Sequence, residues 1–360
     1  MSNQIERPET VTKNTTSFVI KSLPPCKTKN CSIVSVQIDD YRCIVNSTVQ
    51  FDQFSPIIGG NDTGKSILVE AIMYALGARI EHVHKSKTET FSVFIKLKVS
   101  DGSEKLFQRI SSAGVETLKV DQKKVLLKNY REELNQLNVF ANATNIFGLE
   151  RGWESFVVLT PAKFSQLLEK AAGLELNKKL HDDAKRSFEQ EKKKKPTGKV
   201  RKSANLKKVE EQLKNRHVDF KMFIDDLNLR LNQIYTEITP NPSWKANLEY
   251  TCHANSFSGI EMTLRNGSQK MLLMAAGGVD MPVAAVALAV AILMKRQTAL
   301  LIIDNFQKTF GTEPTPEILD KMEDLSRQGI QMLLTWQSGV MPRVGVRFIS
   351  TTRALTLKRN

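Results

Sequence analysis

The run Gly59-Gly60-Asn61-Asp62-Thr63-Gly64-Lys65-Ser66 fits G-x-x-x-x-G-K-[ST] at every position, the composition and spacing of a phosphate cradle. Its glycines let backbone N–H groups converge on an anion, and a helix beginning at Ile67 would add the favourable partial charge of its N-terminus. Lys65 would then bridge the β- and γ-phosphates of a nucleoside triphosphate, with the Ser66 hydroxyl ligating Mg²⁺. The implied cofactors are ATP and Mg²⁺.

A cradle of this kind needs a strand before it and a helix after it. Pro56-Ile57-Ile58 supplies the end of an apolar strand, and Ser66–Leu76 (SILVEAIMYAL) has helical spacing. Phe91–Val99 alternates strictly, with Ser92, Lys96 and Lys98 on one face, and Leu106–Val125 reads as two strands around Ser111-Ser112-Ala113-Gly114. From Asn247 the strand pattern returns. It is followed by a buried helix at Pro282–Met294 and hydrophobic strands at Ala299–Ile303 and Gln331–Thr335. The fold class is therefore α/β, with two halves of one domain separated by a helical insertion.

That insertion begins near Lys163. Leu206, Val209, Leu213, His217, Phe220, Ile224, Leu227, Leu231 and Ile234 follow one another at spacings of three and four, close to a heptad seam. An earlier helical stretch, Phe164 to about Lys195, is separated from it by Lys192–Ser203 (KKKKPTGKVRKS), where Pro196 and Gly198 break the helix. Two helices around a tight basic turn describe a short antiparallel coiled-coil hairpin. The turn carries Lys192, Lys193, Lys194, Lys195, Lys199, Arg201 and Lys202. Three readings of it stay open: a solvated tip, a nuclear import signal, and a contact with DNA phosphates.

Formal net charge is +14 over 360 residues, which favours acidic partners. Cys26, Cys31, Cys43 and Cys252 have no metal-ligand spacing and read as reduced thiols. Residues 1–31 read as a polar, flexible leader without an apolar signal segment. The longest apolar run, Val283–Met294, is too short to span a bilayer. Nucleus or cytoplasm is the expected compartment, with no membrane partner.

A phosphate loop near the start, a coil in the middle and a second α/β half together resemble the SMC (structural maintenance of chromosomes) family of ABC-type ATPases. Ser55–Ala78 (SPIIGGNDTGKSILVEAIMYALGA) is similar to that family's Walker A segment, with Thr63 where Ser is usual. Asn145–Ser155 (NIFGLERGWES) resembles its Q-loop region and runs on into Thr160–Leu176. The stretches Tyr130–Leu134 and Glu154-Ser155 lean towards the first SMC subunit of cohesin.

The resemblance implies an ABC-type ATPase head built from both halves: a leader at 1–31, an N-terminal half at 32–162, the hairpin at 163–237 and a C-terminal half at 238–360. It places Asp304 as the Walker B carboxylate near Mg²⁺, and Glu150 where the family has its metal-coordinating Gln. Asn305 stands at the position of the general-base Glu, and Ala276 at the signature Ser within Met274–Val279. No His is available after Thr335-Trp336-Gln337. An amide cannot take a proton at neutral pH. The expectation is an ATP-binding head impaired in hydrolysis, with no room for a hinge between Lys163 and Glu237. It would regulate, as an antagonist, an SMC complex such as condensin or cohesin in the nucleus. The alternative is an active, reduced SMC- or RecF-like ATPase acting directly on DNA.

Overall fold

A computed structural model describes residues 31–78, 80, 90–137, 139, 160–171, 204–239, 241–253, 256–272, 280–296, 300–307, 315–337 and 346–358. The basic turn at 192–202, Cys26, and the first hairpin arm beyond Ala171 lie outside them. The strands are β1 (Cys31–Asp39), β2 (Ser47–Gln50), β3 (Phe54–Ile58), β4 (Thr90–Val99), β5 (Glu104–Ser112), β6 (Val115–Val120), β7 (Lys123–Val125), β8 (Lys245–His253), β9 (Ser256–Asn266), β10 (Gln269–Leu272), β11 (Leu300–Ile303), β12 (Gln331–Trp336) and β13 (Ile349–Ser350). The helices are α1 (Lys65–Ala75), α2 (Leu127–Gln136), α3 (Pro161–Ala171), α4 (Ala204–Ile238), α5 (Asp280–Arg296), α6 (Pro316–Arg327) and α7 (Thr351–Ala354). No described helix is long and apolar enough to cross a membrane.

The centre is a four-stranded parallel sheet in the order β11-β12-β3-β13. Strand β3 comes from the N-terminal half and its three companions from the C-terminal half. Met332 pairs with Phe54 and Trp336 with Ile58. Every residue of β3, β11 and β12 is buried, as expected of parallel strands covered on both faces, and this is why their sequences are continuous apolar runs. Alternate side chains supply two cores. Ile57, Leu300, Ile302 and Leu333 join α1 and the inner face of a six-stranded antiparallel sheet, β2-β1-β4-β5-β6-β7. Phe54, Ile58, Leu301, Ile303 and Trp336 join α3, α4, α5 and the three-stranded sheet β10-β9-β8.

Helix α4 ends in this second core. Its seam residues Phe220, Ile224, Leu227, Leu231 and Ile234 are buried with Leu248 of β8 and the apolar side chains of α5. Asn228 fastens the helix to the edge of β8: its Nδ2 donates to Leu248 O at 2.9 Å, and its Oδ1 accepts from Leu248 N at 2.6 Å. The heptad-like stripe is thus, over its last turns, a docking face for the head. Strand β1 starts at Cys31, one residue inside the expected leader, with the thiol buried and directed to Leu137 O. Cys31 and Cys43 are free, and burial pushes the Cys31 thiol up to about 12.

Helix α1 is held from behind. Arg109 Nη1 donates to Tyr74 O at 3.0 Å and Ala78 O at 2.8 Å, while its Nη2 pairs with the Glu116 carboxylate. Tyr130 Oη donates to Ala75 O at 2.5 Å and Arg131 Nη2 to Gly77 O at 3.3 Å. These groups take up carbonyls that a helix end leaves without partners, and the guanidinium charges complement the negative end of the helix dipole.

Gln331 joins the two sheets. Its Nε2 donates to Ile33 O at 2.8 Å and Asp52 O at 3.0 Å, and its Oε1 accepts from Ile33 N at 2.6 Å. Ile33 sits at the irregularity where β1 shifts register against β4, so the side chain supplies what the ladder does not. Gln331→Leu would leave those buried backbone groups without partners. It is expected to cost about 2–4 kcal/mol of stability, measurable as a lower urea midpoint with unchanged slope.

Candidate functional site

The edge of β3 delivers the chain into the phosphate loop. Gly59 N still donates to Trp336 O, at 3.4 Å, so the loop leaves the sheet immediately after its last rung. A Cβ on Gly59 would lie 2.0 Å from Thr351 Oγ1 and 2.4 Å from Thr63 Oγ1, so no other residue fits. Gly64 has φ +88°, and a Cβ there would meet Leu355 at 3.1 Å and Leu357 at 3.3 Å. Asp62 also lies in the left-handed region, at φ 58°. No side chain caps the start of α1, so its first N–H groups remain available to an anion.

Two threonines brace the loop. Thr351 Oγ1, from α7, donates to Thr63 Oγ1 at 2.7 Å, and Thr63 Oγ1 donates to Gly60 O at 2.9 Å. Thr351 is wholly buried. The segment beyond it follows the same surface: Thr356 O accepts from Val45 N at 2.8 Å, and Lys358 N donates to Cys43 O at 2.8 Å. Sequence reasoning assigned this segment no role. Its signal is faint, a polar pair, Thr351-Thr352, followed by alternating Leu355 and Leu357.

Lys65 Nζ donates to Gly59 O at 2.8 Å and Gly60 O at 2.5 Å, so the ammonium is held inside the loop by its own carbonyls. Burial lowers its pKa, opposed by the charges of Asp304 and Asp62. Lys65 therefore feels both a Walker B-like carboxylate from the C-terminal half and a carboxylate of its own loop.

Asp304 follows the last residue of β11 and is 6% exposed. Its Oδ1 accepts from Thr335 Oγ1 at 2.5 Å, and the same Thr335 oxygen accepts from Asn305 N at 2.8 Å. One buried hydroxyl on β12 thus fixes the carboxylate and the turn that follows it. Asn305 has φ 56°, a conformation that Asn tolerates better than most residues. Sequence reasoning placed Thr335 in a switch region without a sensor His and missed this positioning contact. The legible hint was a polar residue within the otherwise apolar stretch Met332–Trp336.

The donor set suits Mg²⁺. Ser66 lies in the first turn of α1, and Asp304 follows β11. Among the described residues no three His, Cys, Asp or Glu side chains gather into a metal cluster. One hydroxyl and one carboxylate fit an ion that keeps its waters and binds mainly through substrate phosphates. The structure brings Gly59–Ser66, Asp304, Asn305 and Thr335 to one end of the parallel sheet. Glu150 and the signature-like Met274–Val279, with Ala276, lie outside the described residues.

Comparison with known proteins gives the same picture. Residues 32–274 match the model of the AAA ATPase domain family. Structural maintenance of chromosomes protein 1 from Arabidopsis thaliana is 26% identical over 179 residues, covering 44% of this chain and 15% of that protein. The Saccharomyces cerevisiae protein of the same name is 24% identical over 218 residues, covering 52% of this chain and 17% of that one. The chain thus spans only a small fraction of the length of the curated relatives it matches. Among solved structures, the Smc head domain of Pyrococcus furiosus, bound to the C-terminal domain of ScpA, superposes with a TM-score of 0.70 at 15% identity, covering 87% of this chain and 90% of that one. The recombination mediator RecF with ATP gives 0.55 at 14% identity, covering 92% and 100%. With its phosphate loop and Asp304 at the same end of one parallel sheet, and with more than half of its length matched, the chain belongs to the AAA ATPase domain family and has the fold of an SMC-type ATPase head.

Proposed function

We propose that this chain is an SMC-like head that binds ATP with Mg²⁺, hydrolyses it poorly, and regulates an SMC complex by occupying a partner head. The observation that carries the reading is Asn305. It follows Asp304 directly, is fixed by its N–H to Thr335, and offers an amide where catalysis needs a base. Loss of a general base costs on the order of 10²–10⁴ in rate. The cradle itself supports binding: Gly59–Ser66 supplies the amides, Lys65 the charge on the phosphates, and Ser66 with Asp304 the ligands of Mg²⁺. Glu150 is the further candidate ligand. When bound, Mg²⁺ would neutralise phosphate charge.

SMC heads that work in pairs would accept such a chain as a counterfeit partner, which makes an antagonist the favoured role. The similarity to structural maintenance of chromosomes protein 1 supports cohesin over condensin as the target, and hence the nucleus as the site of action. DNA contact through the basic turn at 192–202 belongs to the same proposal. An active SMC- or RecF-like ATPase is the competing reading, and turnover decides between them.

Purified protein is expected to bind ATP with little hydrolysis, and Lys65→Ala to abolish binding, read by equilibrium titration with a fluorescent ATP analogue. Asn305→Glu is expected to raise single-turnover hydrolysis at least about tenfold, with a small loss of melting temperature because Glu tolerates a left-handed backbone less well than Asn. Wild-type turnover abolished by Lys65→Ala would instead establish the active enzyme. Thr335→Val removes the hydroxyl that orients Asp304. It should weaken Mg²⁺-dependent nucleotide binding about ten- to a hundredfold while leaving metal-free binding nearly unchanged. An unchanged Mg²⁺ titration would show that Asp304 needs no such support.

A further inference from the structure

Asp62 is the acidic residue of the phosphate loop, and the function proposed above gives it no task. It sits three residues before Lys65 in the left-handed region, at φ 58°. Its side chain is exposed, and among the described residues no hydrogen bond or ion pair is formed by its carboxylate. Its charge nevertheless acts on Lys65, as does that of Asp304. Lys65 is already committed to Gly59 O and Gly60 O, and Arg42, on the neighbouring β1–β2 turn, is paired with Glu70 at 2.6 Å. Among the described residues, the charged side chains that act on Lys65 in the cradle are thus two carboxylates, Asp62 and Asp304.

Such a balance discriminates between forms of the same nucleotide. A free triphosphate carries about four negative charges near neutral pH and about two once a divalent cation is bound. The loop amides and the helix N-terminus attract both forms. The repulsion from a carboxylate in the loop scales with the ligand's charge and so falls more heavily on the free form. We infer that Asp62 makes this loop selective for the metal-loaded nucleotide, by repelling the uncomplexed triphosphate from the cradle. The inference rests on the reading that the loop binds ATP. It adds a selection step: the head loads only when the cation comes with its ligand.

The test uses the full chain and a fluorescent ATP analogue, titrated at low ionic strength with excess EDTA or with excess Mg²⁺. Asp62→Asn removes the charge and keeps a residue that tolerates the left-handed backbone. It is expected to tighten metal-free binding about tenfold or more and Mg²⁺-loaded binding less than about threefold, with the metal-free gain shrinking at high salt. Equal affinities of wild type and Asp62→Asn in both conditions would overturn the inference while leaving ATP binding intact. Asp62→Gly separates charge from backbone strain. If Gly tightens binding and Asn does not, strain is the cause and the inference falls. No binding by wild type or either variant would overturn the ATP-binding reading itself, and this inference with it. Binding by Asp62→Asn alone would overturn both, since a native loop that holds neither form of the nucleotide selects between none.

Discussion

The pairing of β3 with β12 is the constraint on which the molecule depends. It joins Phe54–Ile58 to Met332–Trp336, segments far apart in the chain. Everything that touches a phosphate is placed by it. The loop begins where β3 leaves the sheet, and Thr335, one rung from the end of β12, reaches Asp304 on the next strand. Because both faces of the sheet are buried, the strands cannot slide without moving a full layer of side chains out of a core. Register therefore sets the site's geometry. Gln331 secures the other end of β12 against β1.

The electrostatics show a division between holding and reacting. At one end of α1 no side chain caps the first amides, and Lys65 is held in the loop beside them. At the other, Arg109, Tyr130 and Arg131 occupy the carbonyls. The helix is anchored where it is negative and left open where it is positive, which stiffens a binding element. The turn after Asp304 is equally well fixed, yet it presents an amide. Under the function proposed above, Thr335 holds a framework suited to a reacting group, and Asn305 fills that place with an amide.

Much of this was legible in the sequence, for identifiable reasons. The phosphate loop is local, so eight consecutive residues declare it. The parallel strands declare themselves as unbroken apolar runs, and β4 by strict alternation, because burial on two faces or one leaves a different periodicity. The seam of α4 was legible as a stripe, but periodicity does not name what covers a stripe. Its last turns face β8 and α5, and Asn228, which makes the key contact there, breaks no pattern. Thr335 and Thr351 were not legible as site residues. Their importance comes from distance in space: Thr351 lies 288 positions from the Thr63 it touches, and nothing in the neighbouring sequence records that. Strands β7, β10 and β13 were too short to produce a periodic signal.

Thr351 behind the phosphate loop has a consequence for biosynthesis. During translation the segment Gly59–Ser66 leaves the ribosome long before Gln331–Trp336 and Ile349–Thr351 exist. Until they arrive, β3 has no partner on either edge and the loop has nothing to lean on. A nascent chain therefore carries an apolar strand with two unsatisfied edges through most of its synthesis, the condition in which strands recruit the wrong neighbour. The cradle, complete in the sequence from residue 66, is the last part of the head to take shape. Nucleotide binding is in this sense a report that the C-terminal half has been made and has found its place.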